Sequence, residues 1–237
     1  MAMVNRRSRL SGKPLLISFS GLDGSGKSTQ IANLTSYLQQ QGLEVHSLTF
    51  WDDVVVGTRY REGFVHKVYG SEKGIGAPGR PVNRRDKNVR KWYLNLARHF
   101  LYLADAMHLR SVVRKARRQP VQAIIMDRYI YDELANLPLS NPLTRLFVRA
   151  VAWMVPRPEV AYLLDADPEA ARARKPEYPV DFMHQCRASY FRLAELLSTM
   201  TIIPPLPIAV AKAEVESAVA PLLDGSMARP RLTTQSA

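Results

Sequence analysis

Residues 15–34 read LLISFSGLDGSGKSTQIANL, and the fold follows from this stretch. Leu15–Phe19 is a short, almost wholly apolar run, the pattern of a strand buried on both faces. Gly21, Gly26, Lys27 and Ser28 then fall at the spacing G-x-x-x-x-G-K-[ST] of a phosphate-binding loop. Beyond it, Ile31, Leu34, Thr35 and Leu38 recur three and four residues apart, as one buried face of a helix does. Strand, glycine loop and helix in that order are the context such a loop requires. They make a chance glycine turn with a surface lysine the poorer account.

Each part of the loop has a physical task. The glycines, Gly21, Gly24 and Gly26, let backbone N–H groups approach phosphate oxygens closely. The helix start, with Ser25 before it and Thr29 within it, adds free donors and the positive end of a dipole. Lys27 is placed to reach the outer phosphates, and the Ser28 hydroxyl to ligand Mg²⁺.

The rest of the chain sets bounds. At 237 residues with 46% apolar content it has length for one α/β domain with a real core. Lys and Arg number 33 against 21 acids, a net charge of +12 that suits anionic ligands. The single cysteine, Cys186, excludes an internal disulfide framework and a multi-cysteine zinc site. No apolar run reaches membrane-spanning length; the best candidate, 146–155, is short and carries Arg149. A cytoplasmic location is expected. The opening NRRSRLSGK is basic and free of acids, faintly like a transit peptide, and reads as a flexible arm over 1–13. One domain over 14–223 and a flexible tail over 224–237 complete the expected organisation.

Along the chain, Gly42 marks the stop of the first helix. A second strand is predicted over Leu43–Phe50. From Val54 to about Lys87 periodicity is lost in a Gly- and Arg-rich segment, and a long helix follows over Asn88–Arg118. A third strand, Val121–Met126, runs straight into Asp127-Arg128-Tyr129. A helix over Pro142–Val155 and a fourth strand over Val160–Leu164 come next. Asp167, Pro168 and Glu169 then form a helix start. A short basic loop, a lid over about 172–181, holds Arg172, Arg174 and Lys175. Phe182, Cys186, Tyr190, Leu193 and Leu197 mark an amphipathic helix. The last strand is predicted at Thr201–Ile203 or Ile208–Val210, before a helix over Ala213–Leu223. Alternating strands and helices imply a mainly parallel sheet with ligands at the strands' carboxyl ends, where Gly21 and Asp127 both fall.

Phosphoryl transfer needs held phosphates, Mg²⁺, cations over the moving group and exclusion of water. Asp127 suits metal-bound water or Ser28, and Arg128 can bridge two phosphates bidentately; opposite a phosphate loop this outweighs a strand-end salt bridge. Arg172, Arg174 and Lys175 read either as a closing lid or as a solvated charge run. Asp23, inside the loop, either turns away to an acceptor hydroxyl or caps the helix start. Tyr102 and Trp92 on the long helix suit base stacking or core packing. Cys186 reads as inert filler. His66, His99, His108 and His184 show no metal-ligand spacing and take no role.

Four blocks resemble the thymidylate kinase family of nucleoside monophosphate kinases. They are FSGLDGSGKSTQ from Phe19, MDRY from Met126, LLDADPEAARAR from Leu163, and F-x(4)-R-x(2)-Y-x(2)-LA from Phe182 to Ala194. The resemblance implies an α/β, P-loop nucleoside-kinase-like three-layer fold, a five-stranded parallel sheet with helices on both faces. It implies ATP and Mg²⁺, with dTMP as acceptor. Lys27, Arg128, Asp127 and Arg174 then serve catalysis, and Gly21 through Thr29 with Arg172 hold ATP. Asp23, Arg59, Tyr102 and Arg128 bind the acceptor, and Ser28 and Asp127 hold the metal. The departures fall on the acceptor side. Ala106 stands where the family has arginine, Glu133 and Asn136 where it has a polar residue and tyrosine, and its Arg-Glu-Pro-Gly-Gly loop is not recognisable.

The competing readings are a kinase of the same fold with another acceptor, a nucleotide-driven switch or ATPase, and a non-catalytic ATP-binding protein. No N-K-x-D guanine motif occurs, and basic residues are scattered through loops, so no nucleic-acid partner is expected. The expected partners are nucleotides and, possible for this architecture, a second copy in a homodimer.

Overall fold

The structure, a computed structural model, describes residues 13–55 and 92–227, with residues 92–97 and 224–227 described by their backbone alone. Its strands are β1 (Leu15–Gly21), β2 (Val45–Thr49), β3 (Ala123–Asp127), β4 (Val160–Leu164) and β5 (Met200–Ile203). They pair in the order β2-β3-β1-β4-β5, and every pairing is parallel. Parallel neighbours need crossovers, and helices supply those that the structure describes: α1 (Lys27–Gln40), α2 (Trp92–Ala116), α3 (Ile130–Leu134), α4 (Pro142–Met154), α5 (Pro168–Arg174), α6 (Val180–Leu197) and α7 (Ile208–Met227).

The strands read as near-continuous apolar runs because both faces of the sheet are covered. Alternate residues divide between two cores. Leu16, Ile124, Met126, Ala161 and Leu163 pack with α2, α3, α4 and α6. Ile17, Phe19, Ile125, Val160, Tyr162 and Leu164 pack with α1 and α7. The result is the three-layer arrangement that the strand and helix pattern implies. Among the described residues no helix is long and apolar enough to cross a membrane.

The differences from expectation have local causes. The second strand stops at Thr49, because Asp53 Oδ2 accepts the Thr49 N–H at 2.6 Å and the chain turns through one π-helical turn, Phe50–Val54. A short helix, α3, follows Tyr129 where no element was predicted. Arg172 and Arg174 end helix α5 rather than lying in a loop; the loop itself is 175–179, which holds Lys175 and Glu177. The last strand is Met200–Ile203, and Ile208–Val210 begins α7, which continues past Asp224 to Met227, so residues 224–227 of the expected tail are helical. Arg59 and Arg61, most of the Gly- and Arg-rich segment, the arm through residue 12, the start of the long helix before Trp92 and the tail beyond residue 227 lie outside the described residues.

Phe19 is fully buried and stacks on Tyr162 across the β1–β4 pair, with ring centroids 4.8 Å apart. Phe19→Ala leaves a cavity beneath α1 at the strand that feeds the loop. The expected loss is about 3–5 kcal/mol of stability in urea denaturation at unchanged m-value.

Candidate active site

The loop between β1 and α1 turns on glycines. Gly26 caps α1 from a left-handed conformation, φ 89°, and no side chain bonds the first helical N–H groups. The first helical bond runs from Gln30 N–H to the Gly26 carbonyl at 3.1 Å, so the amides before it face outward for an anion. Ser28 and Thr29 are exposed in that first turn. Gly24, φ 81°, lies against α5: a Cβ there would meet the Ala171 carbonyl oxygen at 2.4 Å. The loop and the start of the lid region are therefore packed backbone to backbone.

Lys27 is 7% exposed, and its ammonium folds back to donate to the carbonyls of Gly21, 3.0 Å, and Leu22, 2.7 Å. Burial, joined by repulsion from Arg128, pulls its pKa from 10.5 to about 7, against the opposing pull of Asp23, Asp132 and Asp127.

Arg128 follows β3 directly. Its N–H donates to the Phe19 carbonyl at 2.9 Å, and its backbone is left-handed, φ 67°, a conformation strained for any residue with a side chain. Its guanidinium lies between two carboxylates. Nη1 donates to Asp132 Oδ1 at 2.9 Å and Nη2 to Asp23 Oδ1. Burial alone would lower its pKa, but Asp23 and Asp132 outweigh this and hold it above the ordinary arginine value. Asp132 also accepts from Ser20 Oγ and Tyr190 Oη, each at 2.7 Å, and from the Tyr129 N–H at 3.1 Å. Burial, then Asp132, raises the Tyr190 pKa.

The lid side meets the same cluster. Lys175 Nζ lies 3.9 Å from Asp23 Oδ1 and 3.2 Å from Glu177 Oε1. Arg172 Nε donates to the Tyr178 carbonyl at 2.9 Å, tying α5 to the loop after it, while Arg174 is exposed. Asp165, at the end of β4, takes a two-point bond from Arg187 on α6, at 2.7 and 2.6 Å.

A cavity of about 430 Å³ opens beside the loop. Gly21, Leu22, Asp23 and Arg128 form its floor, and Trp51, Arg98, Asn136, Tyr178, Phe182 and Gln185 stand among its walls. Its volume lies in the range of small-molecule sites.

The structure thus brings Gly21, Asp23 and Arg128 together on one cavity and sets Lys27 and Asp127 close enough to interact electrostatically. Of the two readings of Asp23, the helix cap fails, since Gly26 takes that position with no side-chain bond and Asp23 pairs with Arg128. Tyr102 is 7% exposed and packs in the core, the second of its two readings, and it is not among the residues that line the cavity. Cys186, read as filler, is half-buried against the core but also lines the cavity. Asp132 and Tyr190 were missed. The signal available for Asp132 was its position four residues after Arg128, the spacing of a helical ion pair.

Among the described residues no cluster of three His, Cys, Asp or Glu could hold a metal by itself. The donors named from the sequence are the Ser28 hydroxyl, exposed in the first turn of α1, and the Asp127 carboxylate, at the end of β3. That sparse oxygen set fits Mg²⁺, which keeps most of its shell for water and phosphate.

No family model matches the chain. Thymidylate kinase from Bifidobacterium longum subsp. infantis is 30% identical over 191 residues, covering 76% of this chain and 74% of that protein. Two solved structures share the fold. Thymidylate kinase from Candida albicans superposes with a TM-score of 0.59 at 17% identity, covering 91% of this chain and 94% of that one. Thymidylate kinase from Ehrlichia chaffeensis gives 0.57 at 17% identity, covering 88% and 99%.

A buried lysine near neutrality carries a measurable consequence. A bound polyphosphate favours the charged ammonium and restores its ordinary pKa, so binding takes up a proton wherever free Lys27 is neutral. Calorimetry in buffers of different ionisation enthalpy should show uptake of most of one proton at pH 8 and much less at pH 6. The Lys27→Met variant should abolish the difference.

Proposed function

The chain belongs to the thymidylate kinase family, and from that premise we propose that it moves the γ-phosphate of ATP onto dTMP with Mg²⁺ as cofactor. One observation carries the reading furthest. The phosphate loop and the cavity share Gly21, Leu22 and Asp23, with Arg128 beside them, so one cleft offers a phosphate cradle and room for a nucleotide.

In this mechanism the outward amides of the loop and of α1 take the triphosphate. Lys27 leaves the Gly21 and Leu22 carbonyls for the outer phosphates, a short move for a flexible side chain whose charge is then fully compensated. Ser28 and Asp127 would hold Mg²⁺, which when bound would neutralise charge on the transferred group. Arg128 bridges donor and acceptor phosphates through the N–H donors that Asp132 and Asp23 leave or release to them. Asp23 faces the acceptor's sugar hydroxyl. The lid, packed on Gly24 through Ala171 and reaching Asp23 through Lys175, excludes water from the transfer. Arg172 and Arg174 stand ready on α5 to add charge when nucleotide is bound.

One observation favours a second reading, the same chemistry on another base. Ala106 is buried in the core, and neither it nor Tyr102 lines the cavity; Tyr178, Phe182, Asn136 and Gln185 do. Turnover of ATP and Mg²⁺ with a panel of nucleoside monophosphates decides between the two. Preference for dTMP supports the first, and preference for another base the second.

A second copy of the chain is the partner proposed for the exposed apolar side chains of α2 and α4, Phe100, Met107, Leu143, Leu146 and Trp153. Sedimentation of Trp153→Glu should then report a smaller species than wild type.

Lys27→Ala should lower kcat by roughly a thousandfold with circular dichroism unchanged, the scale of losing a transition-state cation. Arg128→Ala should reduce kcat by about a hundredfold while the ATP dissociation constant moves less than about threefold. Equal losses in both quantities would assign Arg128 to binding or structure instead.

A further inference from the structure

We infer that Asp132 is a positioning residue for phosphoryl transfer: it anchors the Arg128 guanidinium, while Asp23 is the exchangeable counter-ion that an acceptor phosphate displaces. This inference rests on the kinase reading above.

The two carboxylates on Arg128 are not equivalent. Asp132 is 3% exposed and accepts four donors, from Ser20 on β1, the Tyr129 backbone, Arg128 and Tyr190 on α6. Those bonds fill the useful lone pairs of a carboxylate and come from three separate elements. If Asp132 swung away, buried donors on each would be orphaned, so it stays. Asp23 sits on the loop, its side chain 15% exposed, and it already meets a second cation, Lys175, at 3.9 Å. It can leave Arg128 without stranding a charge.

The planar guanidinium makes the division useful. With Nη1 held by Asp132, the fork keeps one orientation, and Nη2 is bonded to Asp23, a residue of the cavity that Arg128 and Asp132 also line. An arriving phosphate replaces Asp23 on Nη2 and finds the donor already aimed. The anchor also accounts for the left-handed backbone of Arg128, since such a conformation persists only where the surroundings over-determine it. Displaced Asp23 keeps Lys175 as its partner, so acceptor arrival draws the loop after α5 toward the site. The other arginines on the cavity wall, Arg98 and Arg192, are carried by α2 and α6 and add positive charge at its sides.

The assignment predicts effects of opposite sign. In the full chain, Asp23→Asn removes the competitor, so dTMP and inorganic phosphate should bind about three- to tenfold more tightly while transfer slows. Asp132→Asn releases the fork, so the same ligands should bind about tenfold more weakly and kcat should fall by more than about tenfold, with the KM for ATP within about twofold of wild type. Tyr190→Phe removes one of the four donors and keeps the ring. It should shift acceptor affinity and kcat in the direction of Asp132→Asn, and it supplies the test should Asp132→Asn fail to fold. Shifts of phosphate affinity in the same direction for the Asp23 and Asp132 variants would overturn the assignment, as would wild-type kcat and acceptor KM in both Asp132→Asn and Tyr190→Phe. Should the wild-type chain transfer phosphate to no acceptor, the kinase reading fails. The inorganic phosphate affinities still decide the anchor, opposite shifts supporting it and parallel shifts sinking it.

Discussion

The register between β1 and β3 is the constraint on which the site depends. Phe19 lies opposite Asp127, and the next N–H along, that of Arg128, donates to the Phe19 carbonyl at 2.9 Å. A slip of one residue would exchange the two faces of β3 and send Ile124 and Met126 into the core that Ile125 now fills. The same slip would carry Arg128 away from the loop that leaves β1. The packing of two apolar layers therefore fixes where a charged fork meets a phosphate cradle, and neither layer contains a catalytic group.

What was legible in the sequence follows from how local each signal is. The loop could be read because its parts are contiguous, from the apolar strand through Gly26 to the helix face of Ile31 and Leu34. The parallel sheet could be read because strands covered on both faces leave unbroken apolar runs, as at Ile124–Met126 and Val160–Leu164. Asp132 was open to reading only as an i,i+4 partner of Arg128; its place as a shared acceptor lies in Ser20 and Tyr190, 112 and 58 residues away. The stop of β2 at Thr49 was equally hidden: Phe50 and Trp51 look like strand continuation, and only the Asp53 carboxylate turns the chain. Tyr102 was open between stacking and packing for the reverse reason: position along the chain suggests the first, while its burial is set by what α2 packs against.

Family membership and base recognition rest on different parts of the chain. The blocks shared with the family converge on the sheet's carboxyl end: the loop, Asp127-Arg128, and α6 with Arg187 and Tyr190. Arg187 binds Asp165 at the end of β4 and Tyr190 binds Asp132, so α6 is pinned at two points across the site. The described cavity wall adds residues outside those blocks, among them Trp51, Arg98, Asn136 to Ser140 and Tyr178, beside Phe182 and Tyr190 of α6. Those added residues make none of the hydrogen bonds by which Arg187 and Tyr190 pin α6.

The charges around the loop also balance one another. Lys27 and Arg128 repel one another, and two buried cations side by side would be costly alone. Asp23, Asp132 and Asp127 offset that repulsion, and Lys27 relieves the rest through two carbonyls and a pKa near neutrality. A site neutralised from within cannot gain the full attraction between its cations and an incoming phosphate, since each new bond replaces an old one. Its affinity is thereby moderated while the geometry stays fixed. For an enzyme that must release two nucleotide products, groups held in place by internal counter-ions favour the transition state over tight ground-state binding.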